Sequence, residues 1–167
     1  MTELSTNSIR VLDIKYGTSV DGPGLRTSIY CAGCNNRCPG CHNPLSWDET
    51  GGEAVSVDTL FVQIVRERMN VTFSGGDPML HPEGFTTLAR RIKQETSLSI
   101  WCYTGYRLED ILQHPKQRAL AELCDVIVDG PFILSQKDST LRFRGSANQR
   151  IIDVQQSLNG EICLLDL

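Results

Sequence analysis

No run of apolar residues in this chain approaches the roughly 18 needed to cross a bilayer, so no membrane-spanning helix is expected. The opening, MTELSTNSIR, lacks the charged start and apolar middle of a secretory signal, and the expectation is a cytoplasmic protein. Positive charge is not in excess. Sixteen Lys and Arg stand against 20 Asp and Glu, a formal charge of -4, which argues against a nucleic-acid binder relying on phosphate contacts. Internal repeats, low-complexity tracts and obvious linkers are missing too. At 167 residues the chain is one domain's worth, long enough to bury a core without disulfide staples, and a single domain over residues 1–167 is expected. An odd number of cysteines, seven, is not a disulfide framework in a reducing compartment, where clustered thiols more often mean metal or redox chemistry.

What is present is an alternation of strands and helices. Residues 8–15 and 26–31 alternate apolar and polar as half-buried strands do. A helix follows, with Ser56 as N-cap, Asp58 in its first turn, and Leu60, Phe61, Ile64 and Val65 at helical spacing. Strands are predicted at 70–73, 98–103, 125–128, 151–154 and 162–165. A helix is predicted from Pro82, burying Phe85, Leu88, Ala89 and Ile92, and another over 108–123, broken at His114 and Pro115. The order points to an α/β fold of parallel strands with helical crossovers, open or curled into a partial barrel. Four unusual stretches then follow strands: the cysteine loop 31–43, SGGDP at 74–78, YTGY at 103–106 and DGP at 129–131. In α/β folds such loops share one face, where active sites are built.

Cys34, Cys38 and Cys41 form C-x3-C-x2-C, with Cys31 adding C-x2-C in front. Short spacings of this kind let one folded-back loop offer several sulfurs to an iron–sulfur cluster. A zinc ribbon draws its two pairs from segments roughly 15–20 residues apart, whereas only Asn35, Asn36 and Arg37 separate them here; zinc and reactive thiols stay open as alternatives. If three thiolates bind, one iron of a four-iron cube lacks a protein ligand. An open metal position is where substrate chemistry happens.

The stretch DGPGLRTSIYCAGCNNRCPGCHN from Asp21, followed by Trp47 and Asp48, resembles the signature of the glycyl-radical-enzyme activating branch of the radical S-adenosylmethionine (SAM) family. SGGDP, YTGY, DVIVDGPF (125–132) and RGSANQRIID (144–153) are similar to the members that act on anaerobic ribonucleoside-triphosphate reductase, so the likeness spans about residues 21–153. It implies a truncated, open partial (β/α) barrel. It implies Cys34, Cys38 and Cys41 as ligands of a [4Fe-4S] cluster whose fourth iron chelates SAM. Gly75, Gly76, Asp77 and Pro78 match the loop for the methionine end of SAM, and Tyr103 and Thr104 fall where relatives contact the ribose. Asp129 falls where relatives place a carboxylate near SAM, and His42 and Asn43 adjoin the cluster on the cofactor side. Asp21 and Arg26 belong to a motif used toward the partner's glycine loop. No catalytic residue is implied beyond cluster and SAM. The implied reaction is reductive cleavage of SAM to methionine and a 5′-deoxyadenosyl radical, which leaves a glycyl radical on the reductase, with a flavodoxin or ferredoxin as donor. Gly40 stands before the third cysteine where the wider family often has an aromatic residue, and Asp77 stands where many have Glu; both suit the reductase-activating branch.

Each residue also has a plainer reading. Cys31 is a small residue at a strand end, and Cys102, Cys124 and Cys163 sit among apolar neighbours as core residues. His42 beside the loop suits an outer hydrogen bond better than metal ligation. Arg142, Arg144 and Arg150 divide between solvated surface, an anion site and a partner contact. Two other functions compete: a short radical SAM enzyme acting on a small molecule, of the deazaguanine synthase type, and a non-catalytic iron–sulfur carrier. The carrier would have no use for the glycine loop at 74–78.

Overall fold

Alternation in the first thirty residues becomes a pair of strands, β1 (Ser8–Thr18) and β2 (Arg26–Cys31), in a computed structural model that describes residues 6–41 and 43–167. After the cysteine loop come β3 (Glu53–Ser56), α1 (Val57–Glu67), β4 (Asn70–Gly75), α2 (Pro82–Glu95) and β5 (Ile100–Tyr103). Then follow α3 (Leu108–Ile111), α4 (Pro115–Ala121), β6 (Val126–Asp129), β7 (Arg150–Asp153), α5 (Val154–Ser157) and β8 (Cys163–Leu164). The eight strands form one open sheet in the order β3-β1-β2-β4-β5-β6-β7-β8.

Only the central four strands, β2-β4-β5-β6, run parallel; β1, β3, β7 and β8 pair antiparallel, which corrects the all-parallel expectation. Connector length explains it. Parallel neighbours need a crossover of a dozen or more residues, usually helical, and α1, α2 and the α3–α4 pair supply those. The loop 19–25 between β1 and β2 is too short for a crossover. Residues 130–149 between β6 and β7 contain only a 3-10 turn, Leu134–Gln136.

Local chemistry places the helices. The Ser56 side chain accepts from the Thr59 N–H at 3.0 Å, an N-cap that satisfies one of the free amides of the first turn of α1. Leu60, Phe61 and Ile64 are buried as expected, but Val65 is 42% exposed, on the edge of the apolar stripe. Pro82 opens α2, which buries Phe85, Leu88, Ala89 and Ile92; the Phe73 and Phe85 rings meet at 4.7 Å between centroids. The break at His114 and Pro115 separates α3 from α4. β3 and α5 are elements the alternation did not announce.

Successive strand residues face opposite sides of the sheet. Ile29, Cys31, Val71, Phe73, Ile100, Cys102, Ile127 and Ile152 point to one side, into the main core, and all five helices contribute apolar residues to that core. The other side, here called the inner face, carries Arg26, Tyr30, Thr72, Trp101, Tyr103 and Val128. A smaller cluster there joins Trp101, Val126, Val128 and Ile151 with Tyr103, Phe143 and Leu165. Cys102 and Cys124 are fully buried, whereas Cys163 on the edge strand is half-buried.

Candidate active site

The four parallel strands end side by side, so the loops after Cys31, Gly75, Tyr103 and Asp129 share one end of the sheet. Backbone hydrogen bonds join them. The cysteine loop is tied to the turn at Pro44–Trp47 through Gly33 N–H to Ser46 O (2.7 Å) and Cys34 N–H to Trp47 O (3.3 Å). Gly76 N–H donates to Cys31 O and Asp77 N–H to Gly33 O, both at 2.7 Å. The approach is so close that a Cβ on Gly75 would lie 2.2 Å from Cys31 N, and one on Gly76 would lie 2.3 Å from Gly33 O. Gly75 also has φ +104°, a conformation that L side chains rarely adopt. The glycine pair therefore lets the backbone approach this chain's own cysteine loop.

Asp77 is buried, and its carboxylate is the cross-brace of the site. Oδ1 accepts from Thr104 Oγ1 (2.8 Å) and Met79 N–H (3.0 Å), and Oδ2 accepts from Gly105 N–H (2.8 Å) and Asn36 Nδ2 (3.0 Å). Burial pushes this carboxyl up to about 6, and the four donors pull the other way. A carboxylate offers about four acceptor positions. All are occupied within the chain, so the carboxylate braces the site. Asn36 had no signal in the sequence beyond lying between two cysteines. Its amide bridges Asp77 and the Cys34 sulfur, the latter at 3.7 Å, and it packs where a Cβ on Gly105 would sit only 2.1 Å away.

The remaining expected residues divide. Pro78 is buried next to Asp77, Thr104 is buried against it, and Asn43 O accepts from Ser46 N–H and Oγ, starting the turn after the cysteine loop. His42 lies outside the described residues. Tyr103 is on the inner face, its hydroxyl donating to Phe143 O at 2.7 Å. Asp129 reaches the same end of the sheet, but its side chain faces the helices. It accepts from Arg150 Nε (2.9 Å), Arg150 Nη2 (2.5 Å) and Leu108 N–H (2.8 Å), holding the start of α3. Arg150 also pairs with both oxygens of Glu109 at 2.9 and 2.8 Å, which places it in an ion network. Arg144 donates to the carbonyls of Ala147 and Gln149, and Arg142 lies over the Phe143 ring.

Arg26 and Asp21, expected toward a partner, fold back on the inner face. Arg26 is only 2% exposed; Nε donates to Thr72 Oγ1 (2.8 Å), Nη2 to Val71 O (2.9 Å), and the guanidinium lies 5.5 Å from the Trp101 ring. Burial lowers its pKa to about 10. Asp21 accepts from the Tyr30 hydroxyl through its carboxylate and from the Thr72 hydroxyl through its carbonyl.

Replacing Arg150 by Met is expected to destabilise the fold by about 3 kcal/mol, because it leaves the Asp129 carboxylate buried and unpaired. That corresponds to a melting-temperature drop on the order of 10 °C for a chain of this size. Part of the difference depends on pH. The Arg150 guanidinium holds Glu109 down to about 2, below the ordinary glutamate range near 4.3. A depressed folded pKa gives stability that is present above the unfolded value and lost as pH falls through the folded one. The gap between wild type and variant should narrow from about pH 4 to pH 2 in acid unfolding curves.

The donor set suits an iron–sulfur cluster. Three thiols without disulfide partners lie within eight residues of one half-buried loop, anchored at its ends. Among the described residues no group of three Cys, His, Asp or Glu side chains is already gathered to hold a metal ion. Burial raises the Cys34 thiol, opposed by N–H groups of Asn36 and Arg37. Cys31 is different: its side chain sits in the main core, where desolvation holds it firmly as a thiol. Among the described residues no helix is long and apolar enough to cross a membrane.

Comparison with known proteins agrees with this geometry. Residues 20–152 match the family model described as a 4Fe-4S single cluster domain. The anaerobic ribonucleoside-triphosphate reductase-activating protein of Haemophilus influenzae is 39% identical over 148 residues, covering 81% of this chain and 93% of the relative. Its namesake in Escherichia coli K12 is 36% identical over 141 residues, 78% and 89% of the two chains. That of Enterobacteria phage T4 is 34% identical over 140 residues, 79% and 86%. The chain belongs to the family of anaerobic ribonucleoside-triphosphate reductase-activating proteins and carries its 4Fe-4S single cluster domain.

Proposed function

We propose that the chain is a radical SAM activase acting in the cytoplasm, a single truncated barrel domain that installs a glycyl radical on anaerobic ribonucleoside-triphosphate reductase. The observation that carries this reading is the junction of the three-cysteine loop with residues 74–78: Gly76 and Asp77 hydrogen-bond to Cys31 and Gly33 at 2.7 Å, beside the end of β5. Cys34, Cys38 and Cys41 would hold the cluster. When bound, the cluster supplies one low-potential electron, delivered by a flavodoxin or ferredoxin, for reductive cleavage of SAM, and the adenosyl fragment removes a hydrogen from one reductase glycine.

The chain's own residues order the site for that chemistry. Backbone at 75–77 fixes the start of the cysteine loop, and the Asp77 carboxylate locks that loop to Thr104 and Gly105. Gly75, Gly76, Pro78, Tyr103, Thr104 and Asn43 line the cofactor's side. Asp129 supports it from behind by fixing α3 through Leu108 N–H. Asp21 and Arg26 shape the inner face toward the glycine-bearing segment.

The test is anaerobic reconstitution, reduction and addition of SAM, followed by assay of 5′-deoxyadenosine and electron paramagnetic resonance with added reductase. Both a nucleoside product and a glycyl radical signal are expected. A fully loaded protein that forms no 5′-deoxyadenosine would overturn the reading, and product without the glycyl radical would move the activity to a small molecule.

A further inference from the structure

Residues 131–149 form a strap that lies against the inner face. The strap is knitted to itself: Ala147 N–H donates to Gln136 O (2.9 Å), Asp138 N–H to Gly145 O (3.2 Å), and Gln149 Oε1 accepts from Gly145 N–H (2.8 Å) and Ser146 N–H (3.2 Å). Its two ends are drawn together by Asn148 Nδ2 to Pro131 O (2.7 Å) and Gln149 Nε2 to Gly130 O (3.1 Å). These bonds tie the segment to itself along its length. Gly130, at φ +97°, is the place where the backbone can turn without a side-chain penalty.

The strap meets the sheet chiefly through Phe143. Its ring stands edge-on to Trp101, 5.6 Å between centroids at 78°, and its carbonyl takes the Tyr103 hydroxyl. Phe143 holds φ +64°, a costly conformation for a bulky residue that persists only where the surroundings enforce it. Toward the cysteine loop, Leu134, 54% exposed, lies over Gly40: a Cβ on Gly40 would be 2.7 Å from Leu134 Cδ1. From the other side the loop 19–25 covers the same ring, since a Cβ on Gly22 would be 3.2 Å from Trp101 Cδ2. The helices pack on the opposite face, and among the described residues the strap's polar hold on the sheet is the Tyr103–Phe143 hydrogen bond, beside the packing of the strained Phe143 on the inner-face cluster and of Leu134 over Gly40.

We propose that residues 131–149 are a gate: closed, they cover Trp101 and the end of the cysteine loop, and they swing about Gly130 to admit a polypeptide segment of the reductase. This rests on the activase reading. Tyr103 and Phe143 are the latch, and loosening either raises the fraction of open protein. The apparent affinity for a partner that binds only the open form rises by the same factor.

Hydrogen exchange of amides 138–147 and calorimetric binding of purified anaerobic reductase, without SAM, test this in wild type, Tyr103→Phe and Phe143→Gly; glycine accepts the left-handed conformation, so the second variant keeps the turn. Reductase is expected to speed strap exchange about 10-fold in wild type, and both variants to bind reductase about 5-fold tighter, as expected if the closed form dominates. Variants that bind no tighter, or strap exchange indifferent to reductase, would overturn the gate. If wild type still binds and yields the glycyl radical in that case, the activase reading stands alone; if it does neither, both fall.

Discussion

Replacing Gly76 by alanine is expected to remove at least about nine-tenths of the iron retained after reconstitution, by an overpacking clash that no neighbour can relieve cheaply. The added methyl would lie 2.3 Å from Gly33 O, 2.8 Å from Gly33 C and 2.8 Å from Ser46 O. All three are backbone atoms, and the strand pairing of Cys31 with Gly75 leaves no slack on that side. The clash must be absorbed by pushing the cysteine loop away, which breaks the two 2.7 Å bonds from Gly76 and Asp77. Asp77 would then lose its alignment with Asn36, and the support beside Cys34 would go with it. Gly24→Ala is the control. Unlike Gly76 it has a positive φ, +72°, but nothing lies within 4 Å, so it carries only the left-handed penalty of about 1–2 kcal/mol and should keep its iron. Iron per chain and the cluster's visible absorbance decide it. A Gly76→Ala protein that retains full iron would show that the close approach does not position the cysteines.

Much of the scaffold was legible because alternation and capping are local. The strands at 8–15, 26–31 and 70–73, the Ser56 cap and the Pro115 break all depend on neighbours within a few residues. Strand direction is not local, and the antiparallel edges followed from connector lengths that alternation does not weigh. In the site, the cluster of four cysteines stands out from spacing, the choice of Cys34, Cys38 and Cys41 among them comes from the family resemblance, and the four strand-end loops do converge. What individual side chains do there was less visible. The carboxylate of Asp77 is filled by donors from two other segments, at sequence separations of 41 for Asn36 and of 27 and 28 for the adjacent Thr104 and Gly105, a convergence that only folding creates. Asp129 could have been placed better from the pattern alone. With Val126 and Val128 on the inner face, the period of two sends Asp129 to the helix side, where Arg150 waits. Arg26 shares the inner-face phase of β2, but its burial under Gly22 required the loop 19–25 to fold back across the sheet.

Cys34→Ala, Cys38→Ala and Cys41→Ala are each expected to abolish the cluster, with iron at background and no 5′-deoxyadenosine, whereas Cys31→Ala is expected to keep both. The contrast separates four thiols within eleven positions by environment. Cluster ligation needs thiolates, and each of the three loop sulfurs belongs to a residue that is half-buried, on irregular backbone that can draw inward as metal enters. Cys31 ends a central strand in the phase that points to the helices, packed within the main core. Desolvation, and then the nearby Asp77 charge, raise its pKa far above that of a free thiol, so offering its sulfur as a thiolate would require the end of β2 to unpair from β4. Its replacement deletes one small apolar contact, a cost of about 1 kcal/mol that melting should register without loss of iron. Iron and sulfide analysis of the four variants side by side is the measurement. Loss of the cluster in Cys31→Ala at an unchanged melting temperature would mean that the strand end opens during loading and that the ligand set is wrongly assigned.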